Sequence, residues 1–257
     1  MNYLSFEYAL PLAKSLLVAA LLAGCKGDGS EPSPDQPKKG YLVGKVTDTQ
    51  GKPLKGAEII ADNTWLYNSN LVTQSDANGA YSIALPAAAS TYQATAQLQV
   101  SYHGTKYQLD LRPDNVEGFT QDGGVRNFQW ALTGEYPDHD GLFYGGTITL
   151  DKEINSGLYD VENILFTLTP DGPLIDGSTG KTLKLKSGPP RSATYGKLAD
   201  VPIGRYRISA VHEPSGTKVR VRNKNGTFAA DGTVTLDFYG KESPWYCSNC
   251  MVIEYSE

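Results

Sequence analysis

Two segments decide the fold. The first is Gly44-Lys45-Val46-Thr47-Asp48-Thr49-Gln50-Gly51-Lys52-Pro53-Leu54-Lys55-Gly56-Ala57, and the second is Asp76-Ala77-Asn78-Gly79-Ala80-Tyr81-Ser82-Ile83. Tyr41 to Asp48 is strand-like, and the residues from Asp48 to Leu54 supply turn chemistry. Asn78-Gly79 tolerates positive φ and suits a tight turn. After it, Tyr81, Ile83 and Leu85 fall on one face at period two.

Further strands are expected from Gly56–Ala61 and at Tyr92–Val100, Tyr107–Leu111 and Phe128–Leu132. Trp130 lies in the last of these and is expected in a core. The composition agrees: 27 Gly, 15 Pro and 16 Tyr with two Met among 257 residues favour turns and strands over long helices. With 40% hydrophobic and 20% charged residues the chain can build a core. A net charge of -5 argues against a general nucleic-acid binder, which needs a basic surface to displace phosphate counterions.

The pattern Gly44-x-Val46-x-Asp48-x-x-Gly51-x-Pro53-Leu54-x-Gly56-Ala57, followed by Asp76-x-x-Gly79-x-Tyr81-x-Ile83, closely resembles the carboxypeptidase regulatory-like family. The resemblance implies a transthyretin-like (prealbumin-like) β-sandwich over residues 40–133 that is non-catalytic.

The pattern recurs downstream. Tyr144–Leu150 and Ile164–Pro170 read as strands. Gly204-Arg205-Tyr206-Arg207-Ile208 aligns with Gly79-Ala80-Tyr81-Ser82-Ile83, and Thr233–Phe238 with the strand around Phe128–Leu132. The expectation is an all-β chain of two tandem prealbumin-like sandwiches, 40–133 and 141–257, with a linker at 134–140. One seven-stranded sandwich takes about 100 residues, so two account for the length better than one.

At the N-terminus, an apolar run after Lys14 fits a secretory h-region and is too short to span a bilayer as a helix. Leu22-Ala23-Gly24-Cys25 resembles the bacterial lipobox. That resemblance implies removal of residues 1–24, lipidation of Cys25 and residence in the cell envelope. Lys26 after the cysteine favours the outer membrane. Multiple acyl chains anchor stably, at ~0.8 kcal/mol per buried CH₂. Residues 25–39 contain no large apolar residue and read as a flexible tether.

The remaining pair, Cys247 and Cys250, is expected to form a structural disulfide in an oxidising compartment. A redox role would need a helix N-terminus to lower the thiol pKa, and a zinc site would need more ligands. Asp138-His139-Asp140 reads as solvated linker, His103 as an exposed turn residue, and His212-Glu213 lacks the second His of a zinc-binding helix. No catalytic constellation, metal site or cofactor is expected.

The functional signal is aromatic. Trp65 and Tyr67 fall between strands among asparagines, and Trp245 and Tyr246 adjoin the cysteine pair. Such rings can stack on sugar faces while amides take the hydroxyls. The leading expectation is a carbohydrate-binding or accessory lipoprotein. Its rivals are a module that docks an envelope protein and an enzyme with an unrecognised site.

Overall fold

The computed structural model describes residues 33–245 and 247–257. Residues 1–24, Cys25, the first part of the tether and Tyr246 lie outside these. The described chain is almost entirely strand and turn, with one short 3-10 helix at Val161–Asn163.

The first half contains β1 (Tyr41–Thr47), β2 (Glu58–Asn63), β3 (Leu71–Gln74), β4 (Ala80–Ala84), β5 (Thr91–Tyr102) and β6 (Thr105–Asp110). Four two-residue strands follow: β7 (Arg112–Pro113), β8 (Phe119–Thr120), β9 (Gly124–Val125) and β10 (Phe128–Gln129). They form two facing sheets. One is ordered β4-β1-β10-β7 with β9 also on β1, and the other β3-β2-β5-β6 with β8 also on β5. The alternating strands send Leu42, Val46, Ile59, Ala61, Tyr81, Ile83, Tyr92, Leu98, Tyr107 and Phe128 into the space between. Tyr81, Ile83 and Leu85 are buried together, as their spacing predicts.

Gly79 explains its own presence. Its φ is +71°, and a Cβ there would stand 2.3 Å from the Val46 carbonyl oxygen. Asp76 completes this turn by accepting from the backbone N–H groups of Asn78 and Ala80 at 2.8 and 2.9 Å.

A hairpin follows, β11 (Glu135–Tyr136) and β12 (His139–Phe143), in the stretch expected as a linker. The second half holds β13 (Gly146–Lys152), β14 (Ile164–Pro170), β15 (Leu183–Leu185), β16 (Lys197–Val201), β17 (Arg205–His212), β18 (Thr217–Asn223), β19 (Val234–Asp237) and β20 (Cys250–Ser256). Its order is β15-β14-β17-β18-β20-β13-β16, with β19 also on β17. Residues Thr217–Val219 of β18 pair with β17, and Arg220–Asn223 pair with β20. That strand carries the sheet around a corner, so its two wings face each other. Ile148, Leu198, Met251, Ile253 and Tyr255 fill the interior from one wing, and Ile164, Phe166, Leu168, Tyr206 and Ile208 from the other.

The halves share a pairing scheme. β1 lies between antiparallel β4 and parallel β9 and β10, as β13 lies between antiparallel β16 and parallel β20. β2 joins β3 to β5 as β14 joins β15 to β17, and β8 sits on β5 as β19 sits on β17. This corrects the strand alignment drawn from sequence. By pairing, the partner of β4 is β16 and not the Gly204–Ile208 strand, and the partner of β10 is β20 and not Thr233–Phe238. The Gly-x-Tyr-x-Ile pattern misleads because any half-buried strand entered from a tight turn shows it.

The halves also pack on one another within one compact body. Tyr107 Oη donates to the Phe238 carbonyl at 2.6 Å, Tyr102 Oη to Pro173 at 2.8 Å, and the Lys241 N–H to Lys106 at 3.1 Å. Trp130 is buried as expected, but Leu109, Tyr144, Ile175 and Ile203 surround the small void beside it, so both halves enclose it. The end of the tether is fixed too: Asp35 pairs with Lys45 at 2.7 Å, and the Gly40 N–H donates to Gln121 at 2.9 Å.

Candidate functional site

The loop between β2 and β3 carries the first candidate. Asn63 ends β2, and its Oδ1 accepts from the backbone N–H groups of Trp65 and Leu66, both at 3.0 Å, and from Ser90 Oγ at 2.7 Å. One amide thus shapes the turn and ties it to the loop before β5. Asn68 adopts φ +55°, a conformation that asparagine tolerates better than most residues. Held this way, Trp65 is 65% exposed and Tyr67 fully exposed. They stand over an open cleft of about 520 Å³ walled by Asp62, Asn63, Thr64, Leu66, Asn68 and Asn70. Polar amides and carboxylate beside exposed ring faces can hold a flat ligand that has an apolar face and hydroxyl edges.

The other aromatic candidate is built differently. Cys247 and Cys250 are bonded, with Cα atoms 6.0 Å apart, and Cys250 starts a buried strand. Trp245 is half-buried, with Lys224 Nζ 5.5 Å from its ring centroid. The cleft at Trp65 includes no residue of this segment. The structure therefore does not bring the two tryptophans into one site.

The histidines are engaged in the structure. His103 is an exposed turn residue, as expected, and it also stacks on Tyr102 and places Nδ1 2.7 Å from Asp237 Oδ1, across the junction. His139 Nδ1 is 3.0 Å from Asp138 Oδ1.

His212 joins a chain that the sequence did not suggest. Its Nδ1 is 2.8 Å from Ser215 Oγ and its Nε2 3.0 Å from Asp160 Oδ2. Hydrogen bonds from Asn163, then from His212, hold the Asp160 carboxyl down at about 2. A serine, histidine and aspartate in series can activate a nucleophile when the serine faces a substrate cleft. Here Ser215 lies in the β17–β18 turn, where its Oγ accepts from the Thr217 N–H at 3.2 Å and sits 2.9 Å from Thr217 Oγ1. The arrangement locks a hairpin. Its members are far apart in sequence except for the His212–Ser215 spacing, which alone carries no signal.

No curated protein sequence matches the chain. Among solved structures, the Bacillus anthracis TIE protein superposes on 85% of this chain with 12% identity and a TM-score of 0.32. The aligned part is 34% of that protein, so the chain spans about a third of its length. The shaft pilin SpaA of Lactobacillus rhamnosus GG aligns with 84% of this chain and 98% of its own, at 14% identity and a TM-score of 0.24. BcpA, the major pilin subunit of Bacillus cereus, aligns with 84% of this chain and 99% of its own, at 11% identity and 0.23. Superpositions this loose establish no functional kinship. It is residues 42–121, the bulk of the first sandwich, that match the sequence model of the carboxypeptidase regulatory-like domain family.

Proposed function

We propose that this protein is a non-catalytic binding module, held at the cell envelope by a lipid on Cys25, whose loop 63–70 contacts carbohydrate. The observation that carries the reading is the exposure of Trp65 and Tyr67 over a cleft walled by Asp62, Asn63, Asn68 and Asn70. Large apolar side chains left together in water mark contact surfaces. The Asn63 hydrogen bonds fix the loop before any ligand arrives, which lowers the ordering cost of binding.

Isothermal titration against a panel of soluble polysaccharides tests this. Trp65→Ala is expected to weaken binding by about tenfold or more, as loss of an aromatic anchor does. No binding across the panel, or binding indifferent to both Trp65→Ala and Tyr67→Ala, rejects the carbohydrate assignment. The anchor is tested separately. Cys25→Ser should move the protein from the membrane to the soluble fraction and abolish acyl labelling.

A second reading, docking of another protein, is favoured by one observation. Among the described residues β3 pairs only with β2, and Val72 on it is 56% exposed close in sequence to the same loop. The strand therefore presents an open row of N–H and C=O groups flanked by apolar side chains, a template for strand addition. A photo-crosslinker at Val72 that captures one discrete protein in intact cells, with no polysaccharide binding in vitro, would select this reading.

A further inference from the structure

The hairpin β11–β12 walls two clefts, of about 380 and 320 Å³, which share Asp110, Tyr136, Leu142 and Tyr144. Both are in the size range of small-molecule sites. The larger reaches the first sandwich where Ala94 and Ala96 of β5 leave space beside Leu111 and Phe128. Asp138 joins Asp110 there, and Asn249 lines the smaller cleft. No lysine or arginine lines either one. Arg112 lies 5.1 Å from the Tyr144 ring centroid, with its guanidinium bonded to the Thr133 carbonyl at 2.5 Å.

Two polar atoms here are buried without a partner. Tyr144 is only 8% exposed, and its hydroxyl has no hydrogen-bond partner among the described residues. Asn249 Oδ1 has none either, while its Nδ2 donates to the Gln108 carbonyl at 2.9 Å. Such orphans are uncommon in folded proteins and costly. Asp110 keeps acceptor capacity beyond the single bond from Tyr136 Oη at 2.7 Å. Tyr136 and Tyr144 stack with centroids 4.2 Å apart. Burial pushes the Tyr144 phenol up to about 12; among the nearby charges Arg112 pulls it down, and Asp138 and Asp110 each add a smaller push upward.

We infer that these clefts form one site for a small organic ammonium ion, an NH₃⁺ group on an apolar body. The head donates to the Asp110 carboxylate, Asn249 Oδ1 and the Tyr144 phenol oxygen, which together match its three donors. The stacked tyrosine rings favour a cation nearby. The body lies over Ala94, Ala96 and Leu111. This site is separate from the Trp65 loop, and neither cleft includes any residue of that loop.

Three probes with related bodies test the inference: 2-phenylethylamine, 2-phenylethanol and 3-phenylpropionate, titrated into the full chain by calorimetry. The amine should bind at least about tenfold more tightly than the alcohol, and the carboxylate should not bind, because hydrogen bonds to a charged group are the stronger ones. Asp110→Asn keeps an acceptor for Tyr136 and Tyr144→Phe keeps the ring. Each should weaken the amine about fivefold or more, and Tyr144→Phe should leave the Tm unchanged or raised. Absence of amine binding, equal affinity for amine and alcohol, or indifference to both variants overturns the proposal.

Discussion

In the first sandwich β1 meets its parallel partners in two short pieces, β9 and β10, split by Arg126 and Asn127. In the second, β13 and β20 run in unbroken register from Thr147–Cys250 to Lys152–Tyr255. The first keeps two separate sheets, whereas β18 turns one sheet into two wings in the second. One pairing scheme has thus been closed in two ways. The difference follows from where the apolar residues fall. β20 is buried almost throughout, while only Phe128 of β10 points inward, and the first sandwich adds β7 beside β10 to extend that wall. A shared strand order does not require shared sequence at matching positions.

The largest effect should come from emptying the two cores. Phe128→Ala in the first sandwich and Phe166→Ala in the second each remove a ring that is at most 2% exposed, and each should cost about 3–5 kcal/mol. Because the sandwiches share the Tyr107–Phe238 bond and the apolar contacts at Trp130, both variants should lower one common calorimetric transition. Two transitions, each moved by only one variant, would break the account of a joined body. A smaller effect is expected at the junction itself. A Cβ at Gly240 would stand 2.0 Å from the Lys106 carbonyl oxygen, so Gly240→Ala should cost roughly 1–3 kcal/mol and, by loosening the junction, separate the two melting events.

The smallest effect distinguishes the sandwiches by acid. The lowered carboxylates among the described residues, Asp160, Asp176, Asp231 and Glu257, all belong to the second. Hydrogen bonds from Asn163, the Thr233 backbone and Ser156 respectively lead in bringing Asp160, Asp231 and Glu257 to about 2, from 3.8 for the aspartates and 4.5 for the glutamate. Burial raises Asp176, but hydrogen bonds from Ser178 and Thr49 outweigh it. A carboxyl lowered by folding contributes stability that is complete above its unfolded value and is lost as pH falls through its folded one. Between pH 5 and 2, amide hydrogen exchange in β14 and β17 should therefore accelerate more than in β2 and β5. The difference should be small, because these groups are solvated and screened.

How much of this could be read from sequence varies with the range of the interactions. The turns at Gly51–Gly56 and Asp76–Gly79, and the faces set by Tyr81 and Ile83, are local and legible. The position of Trp65 and Tyr67 between strands is legible too, but whether the rings cover a sandwich end or face water is decided only by the fold. Trp245 also sits among turn and polar residues, Ser243 and Pro244 before it, yet Lys224 lies over its ring, and nothing within a few residues of Trp245 announces that. Tyr144 and Asn249 came together only through the pairing of β13 with β20. The sequence marks the strand that begins at Tyr144 and the cysteine pair that brackets Asn249, but nothing in either pattern says that the two side chains meet.

One residue has a consequence for how this architecture can change. Asp200, at φ +58°, accepts the N–H of Gly134 at 2.8 and 2.9 Å and that of Gly145 at 3.2 Å, so a single carboxylate clasps both feet of the hairpin. With Tyr144 kept as the buried residue beside Trp130, segments of different length or composition between Tyr136 and Tyr144 should be accepted while the flanking sheets keep their places. The hairpin is thereby an exchangeable cassette, free to diversify on an otherwise constant frame.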